Sequence, residues 1–131
     1  MTGKITRDSV LVIDDDADFR MLIAILGQLR GVPVLEATDC QDGLKILDRE
    51  HARIKMILLD YFMPGMDAVT CAGTIIAKAG PSVSIVLMTA AVDAGLRAAE
   101  LQISRWISKP VEPSVLTALL TQAPVMPPSL S

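Results

Sequence analysis

Aromatic residues make up only 3% of this 131-residue chain: two Phe, one Tyr and one Trp. Because 51% of the residues are hydrophobic, the interior has to be aliphatic, built of Ile, Leu, Val, Ala and Met. No apolar run approaches the roughly 18 residues needed to cross a bilayer, so no transmembrane span is expected. Residues 1–9 carry charges and no apolar centre, and are not expected to be a signal peptide. Basic residues are few and scattered. Twelve Lys and Arg against 15 Asp and Glu leave a net charge of -3, with no patch suited to direct nucleic-acid binding. A glycine-rich loop of the P-loop type is missing, so nucleotide binding has no support. The single histidine, His51, follows Glu50 at a predicted helix end and reads as a solvated residue. Only Cys40 and Cys71 are available as thiols, without metal or redox spacing. Two reduced cysteines in a cytoplasmic chain is the simpler reading, and a disulfide between them the alternative.

What is present is a regular alternation. Apolar, β-branched runs at 9–13, 32–37, 54–59, 83–88 and 104–108 read as strands. Between and after them, helical spacing marks 17–29, 40–49, 67–78, 92–101 and a last helix opened by Pro113-Ser114 and ending near Gln122. In the first helix Phe19, Leu22, Ile23, Leu26 and Leu29 form the periodic set. Five β-α units predict one domain, an α/β fold with a parallel sheet covered by helices on both faces. A chain of this length buries about two thirds of its unfolded surface and needs no staple. The domain is placed at 1–123, with 124–131, which holds three prolines and two serines, as a disordered tail or linker stub.

Four of the predicted strands end on residues that carry chemistry. Val10-Leu11-Val12-Ile13 runs into Asp14-Asp15-Asp16, and Ile57-Leu58-Leu59 into Asp60. Ile85-Val86-Leu87-Met88 runs into Thr89, and Trp106-Ile107-Ser108 into Lys109-Pro110. In an open parallel sheet the C-terminal strand ends lie side by side, and ligands bind in the crevice there. The four clusters should therefore meet in one pocket. Two like charges about 4 Å apart repel by roughly 4 kcal/mol at an effective dielectric near 20, and a divalent cation relieves this. Oxygen donors suit Mg²⁺. For the triplet alone, a solvated acidic loop with Asp16 capping the next helix is the plainer alternative. Asp60 could equally be an ordinary strand-end turn residue, Thr89 a local cap and Lys109 a solvated cation. Trp106 reads either as a partly buried anchor near the sheet edge or as a rotameric switch.

Together, the acidic pair Asp14-Asp15 with Arg20 beyond it, Leu-Asp-Tyr-Phe-Met-Pro-Gly-Met-Asp at 59–67, Met-Thr-Ala at 88–90 and Lys-Pro at 109–110 resemble the receiver domain of two-component response regulators. The likeness is to the chemotaxis-regulator type and spans about residues 8–122. It implies a doubly wound, flavodoxin-like sheet of strand order 2-1-3-4-5. It implies Asp60 as phosphoacceptor. Mg²⁺ would be held by Asp15 and Asp60, by Asp14 through a water, and by the backbone carbonyl of Phe62. Thr89 and Lys109 would bind the phosphoryl group, with Trp106 as the side chain that moves with Thr89. Two positions depart from the pattern: Ala68 and Gln102 stand where glycine is common. The segment from Thr89 to Lys109 is short, so a short fourth helix is expected.

The implied function is that of a signalling phosphoacceptor rather than an enzyme, with self-phosphorylation and autodephosphorylation chemistry of its own. A histidine kinase or histidine phosphotransfer protein would be the donor. An output domain, fused or separate, would be the reader, and dimerisation is left open. Neither nucleic acid nor membrane is expected as a direct partner. Met21 and Ile25 exceed what one buried helix face needs and suggest a docking face for the donor. Two rival readings stand beside this one. Asp14-x-Asp16 satisfies the D-x-D of a haloacid-dehalogenase-type phosphatase, with Asp14 as nucleophile, and a degenerate receiver would serve only as a binding module.

Overall fold

The computed structural model describes residues 6–62 and 65–124. Strands β1 (Ser9–Ile13), β2 (Val34–Ala37), β3 (Ile54–Asp60), β4 (Ser84–Thr89) and β5 (Arg105–Ser108) alternate with helices α1 (Ala17–Leu29), α2 (Cys40–Glu50), α3 (Ala68–Ala79), α4 (Ala94–Glu100) and α5 (Pro113–Leu120). All strand pairings are parallel, in the order β2-β1-β3-β4-β5. The α/β class and the expected strand order are both found. The expectation for the tail falls mainly on residues 125–131, outside the described residues.

Two of the three inner strands explain why this sequence chooses a doubly covered sheet. Every residue of β1 and of β3 is buried, so both faces of each strand must be roofed by helices. The edge strands β2 and β5 are only partly buried. Side chains alternate across the strands and sort the interior into two aliphatic clusters. One gathers Leu11, Ile13, Ile57, Leu59 and Leu87 with residues of α2, α3 and α4. The other gathers Val10, Val12, Met56, Leu58 and Met88 with residues of α1 and α5.

Local chemistry sets the helix starts. Asp16, Asp39 and Asp67 each accept a backbone N–H bond with their carboxylates, capping α1, α2 and α3. Pro113 occupies the first turn of α5, where its missing N–H costs nothing. Boundaries move by up to two residues from the sequence reading. The ladder of β2 begins at Val34 because Val34 is the first residue in register with β1, opposite Val10. Helix α4 is short, seven residues, as the short segment implied.

Three expectations need correction, and one buried residue carried none. Leu29 is 73% exposed and not part of the inward stripe. Ile23 and Gly27 face the sheet, and Leu29 lies two residues on from Gly27, about 200° round the helix. His51 is only half exposed, and its Nε2 lies 2.8 Å from the carbonyl oxygen of Ala79 at the end of α3. Cys40 and Cys71 are joined in a disulfide, with Cα atoms 6.0 Å apart. Linear spacing was silent on this pair because the crossover topology, not the chain, brings the starts of α2 and α3 together. Finally, Lys55 interrupts the apolar run of β3 yet is buried. Its ammonium donates to the carbonyls of Leu120 (2.7 Å) and Gln122 (2.8 Å), tying off the end of α5. Burial lowers its pKa, partly offset by Asp8.

Candidate functional site

Parallel pairing brings the ends of β1, β3, β4 and β5 to one edge of the sheet. Ile13 pairs with Leu59, Asp60 with Met88 and Thr89 with Ser108, so the residues that follow are neighbours. Asp14 is fully buried. One of its oxygens accepts the N–H of Asp16 at 2.9 Å, and the other accepts the Lys109 ammonium at 2.6 Å. Its backbone carbonyl accepts Arg20 Nη1 at 2.7 Å, and Arg20 Nε lies 3.4 Å from Glu36 Oε1 on β2. Lys109 reaches back over the strand ends from a cis Lys109-Pro110 peptide. It also stands 3.4 Å from Asp60 Oδ1 and 4.5 Å from the centre of the Phe19 ring. The Lys109 backbone N–H donates to the Thr89 carbonyl at 2.8 Å.

Asp60 is 6% exposed at the tip of the central strand. Burial lifts its pKa from 3.8 to about 6, the Asp14 and Asp15 charges add to the rise, and Lys109 opposes it. Burial disfavours the Lys109 ammonium, but its hydrogen bond to Asp14 and the charges of Asp60 and Asp14 carry its pKa upward overall. One ammonium thus serves two buried carboxylates, with exposed Asp15 at their rim.

Asp14, Asp15 and Asp60 each place a carboxylate oxygen within 4.8 Å of the others. Three anionic oxygen donors against a single ammonium form a donor set that fits a hard divalent cation. Thr89 is fully buried, and its hydroxyl accepts the N–H of Ala91 at 3.0 Å, which leaves the hydroxyl proton to donate. Phe62, two residues past Asp60, is exposed.

The other candidates lie outward. Trp106 is 48% exposed on the edge strand. Its indole lies against Gly95 of α4, where an added Cβ would stand 3.2 Å from the ring. Met21 and Ile25 are exposed, 57% and 48%, on the side of α1 away from the sheet. Between α1 and the β5-α5 connection, Phe19, Leu22, Lys109, Pro110 and Val111 line a groove of about 420 Å³ beside the site.

Two features escaped the sequence reading. Phe19 looked like a core residue of α1, yet it also offers its ring face to Lys109. Tyr61 donates its phenol proton to Glu100 at 3.1 Å, and Arg97 stacks 5.5 Å from its ring centre, linking the segment after Asp60 to α4. Only the adjacency of Tyr61 to Asp60 could have signalled the second.

Comparison with known proteins identifies the family. A probable transcriptional regulator ycf27 of Porphyridium aerugineum is 30% identical over 114 residues, covering 86% of this chain and 46% of that protein. The phosphate regulon transcriptional regulatory protein PhoB of Pseudomonas aeruginosa is 30% identical over 124 residues, 92% of this chain and 51% of its own length. The chain thus spans about half the length of these relatives. An uncharacterized 14.6 kDa protein of Leptolyngbya boryana is 31% identical and is covered over 87% of its length. Among solved structures, the signal receiver domain of an HD domain-containing protein from Pseudomonas fluorescens Pf-5 superposes with a TM-score of 0.75 at 25% identity, over 89% of this chain and 94% of that one. With residues 10–121 matching the model of the response regulator receiver domain, the chain belongs to that family.

Proposed function

We propose that this domain accepts a phosphoryl group on the Asp60 carboxylate from a phosphohistidine of a histidine kinase or histidine phosphotransfer protein, in the cytoplasm and with Mg²⁺ as cofactor. The observation that supports it most is the placement of the Asp60 carboxylate, 3.4 Å from the Lys109 ammonium and within one three-carboxylate cluster with Asp14 and Asp15. An Asp60 oxygen attacks phosphorus. The N–P bond breaks as the O–P bond forms, and its electron pair returns to the imidazole, which takes a proton from solvent. Asp15, Asp60 and the Phe62 carbonyl would hold the cation directly, and Asp14 through a water. Bound there, Mg²⁺ supplies positive charge against the phosphoryl oxygens. Lys109 adds a point charge on the other side, and Thr89 donates its hydroxyl proton to a phosphoryl oxygen. The chain's part is positioning and charge neutralisation. It is a signalling acceptor rather than an enzyme, although it would also hydrolyse its own acyl phosphate slowly.

The phosphoryl group adds close to two negative charges beside β4 and β5. Thr89 and α4 are drawn in, with Trp106 moving in step, and a fused or separate output domain or a second copy reads the change. Moving a 1:99 mixture to 99:1 needs about 5.5 kcal/mol of differential interaction. The donor docks over the groove beside Lys109 and the apolar residues Met21 and Ile25. Changing both to Lys is expected to slow transfer from a protein donor and leave transfer from acetyl phosphate unchanged. Equal slowing with both donors would count against the docking face.

The phosphatase alternative with Asp14 as nucleophile is not favoured, because both Asp14 oxygens are engaged and the residue is fully buried. The deciding experiment is incubation with Mg²⁺ and acetyl phosphate, followed by mass measurement. Wild type should gain one phosphoryl group and Asp60→Ala none. A phosphorylated Asp60→Ala protein would overturn the assignment.

A further inference from the structure

We infer that Cys40 and Cys71 form a reversible redox-modification site that controls the order of the phosphoacceptor segment, an inference that rests on reading Asp60 as the acceptor. The bond joins the first residue of α2 to the first turn of α3 across 31 residues of chain. The covalent ring so closed contains β3, Asp60 and the whole connection to α3. Cys71 shares a small hollow with Leu59, Asp60, Tyr61, Met66, Ala68 and Leu101, so Cys71 and Asp60 border the same space. The Cys40 sulfur also lies 3.8 Å from the Met66 sulfur, at the far end of the acceptor loop.

Nothing in the packing requires the bond as a staple. Helices α2 and α3 already belong to one aliphatic cluster through Leu47, Ala72 and Ile75, and Lys78 meets Asp48 at 2.8 Å between them. Both cysteines are 2% exposed, and as thiols they remain small apolar residues suited to that interior. What the bond adds is local: it fixes the first turn of α3 and, with Met66, the return of the acceptor loop. On oxidation the two thiols give up two protons and two electrons to hydrogen peroxide, which becomes two waters, and the S–S bond forms. A dithiol reductant reverses the step, itself becoming a cyclic disulfide. The exchange proceeds when the first turn of α3 opens, beside exposed Val69 and Thr70. Oxidised, the domain holds its acceptor segment preorganised. Reduced, it holds the same segment loosely.

The test compares the oxidised protein, the protein reduced with dithiothreitol, and the Cys40→Ala/Cys71→Ala variant, each with its fold checked by circular dichroism. Amide hydrogen exchange over residues 60–71 and the rate of Asp60 phosphorylation by acetyl phosphate with Mg²⁺ are read in all three. Reduction should leave the fold intact, raise exchange in that segment and slow phosphorylation roughly three- to tenfold. Hydrogen peroxide should restore both, and the variant should match the reduced form whatever the reagent. Equal phosphorylation rates in the two redox forms would overturn the inference, as would reduction that occurs only with global unfolding. If exchange over 60–71 follows the thiol state while neither form takes up phosphate, the redox site stands and the acceptor reading falls.

Discussion

Asp60 carries the conflict on which the site depends. Its carboxyl titrates near 3.8 when exposed and about 6 in the fold, mainly because it is buried. Below about pH 4 both states are protonated and the group is neutral to stability. As pH rises through that window the unfolded chain loses its proton first, so stability falls, and above about pH 6 the full penalty of about 2–3 kcal/mol applies. Without divalent cation, Asp60→Asn should therefore stabilise the domain near neutral pH and bring little gain below about pH 4, as denaturant melts at the two pH values would read. Gln102 is the second telling residue. Its φ of 61° is left-handed, at the end of α4, where Ile103 N–H bonds Ala98 and Gln102 N–H bonds Ala99. That geometry favours glycine, the residue the family pattern has there. Gln102→Gly is expected to raise unfolding free energy by about 0.5–1 kcal/mol in urea, the relief of left-handed strain less the added freedom of the unfolded chain.

Among the elements, α1 shows how closely packing is tuned. An added Cβ at Gly27 would meet Val34 Cγ2 at 2.6 Å and the Val32 carbonyl oxygen at 2.7 Å. The backbone oxygen cannot rotate away, so Gly27→Ala should cost about 1–3 kcal/mol despite alanine's better helix propensity. The same rotation that turns Ile23 and Gly27 inward leaves Met21, Ile25 and Leu29 exposed on the outer side of the helix. Helix α4 is held differently. It is short, lacks a side-chain N-cap bond, and reaches the segment after Asp60 through Arg97, Glu100 and Tyr61. Surface polar links of this kind contribute little to stability, which suits an element proposed to shift on phosphorylation.

For the whole molecule, the two faces of the sheet differ. Helices α1 and α5 cover one, with α5 tied at its end by Lys55. The other carries α2, α3 and α4, with the disulfide across the first two. Closing a ring of 31 residues should stabilise the domain by roughly 3–4 kcal/mol through restriction of the unfolded chain. The reduced protein should still unfold cooperatively in urea, at a correspondingly lower midpoint. A reduced protein already unfolded without urea would show the aliphatic core to be insufficient alone.

Period and punctuation along the chain determined the alternation of five strands and five helices, because buried runs and helical stripes are local patterns. They also indicated which side chains meet, because strand ends in a parallel sheet converge, and Asp14, Asp15, Asp60, Thr89 and Lys109 lie at or just after strand ends; the reading of Asp60 as acceptor came from the family resemblance. Contacts between residues far apart in the chain were decided by tertiary structure alone. The Cys40–Cys71 bond, the Lys55 clamp on α5, the Phe19 face against Lys109 and the outward turn of Leu29 depend on how crossovers set one helix beside another. Linear order does not encode that distance.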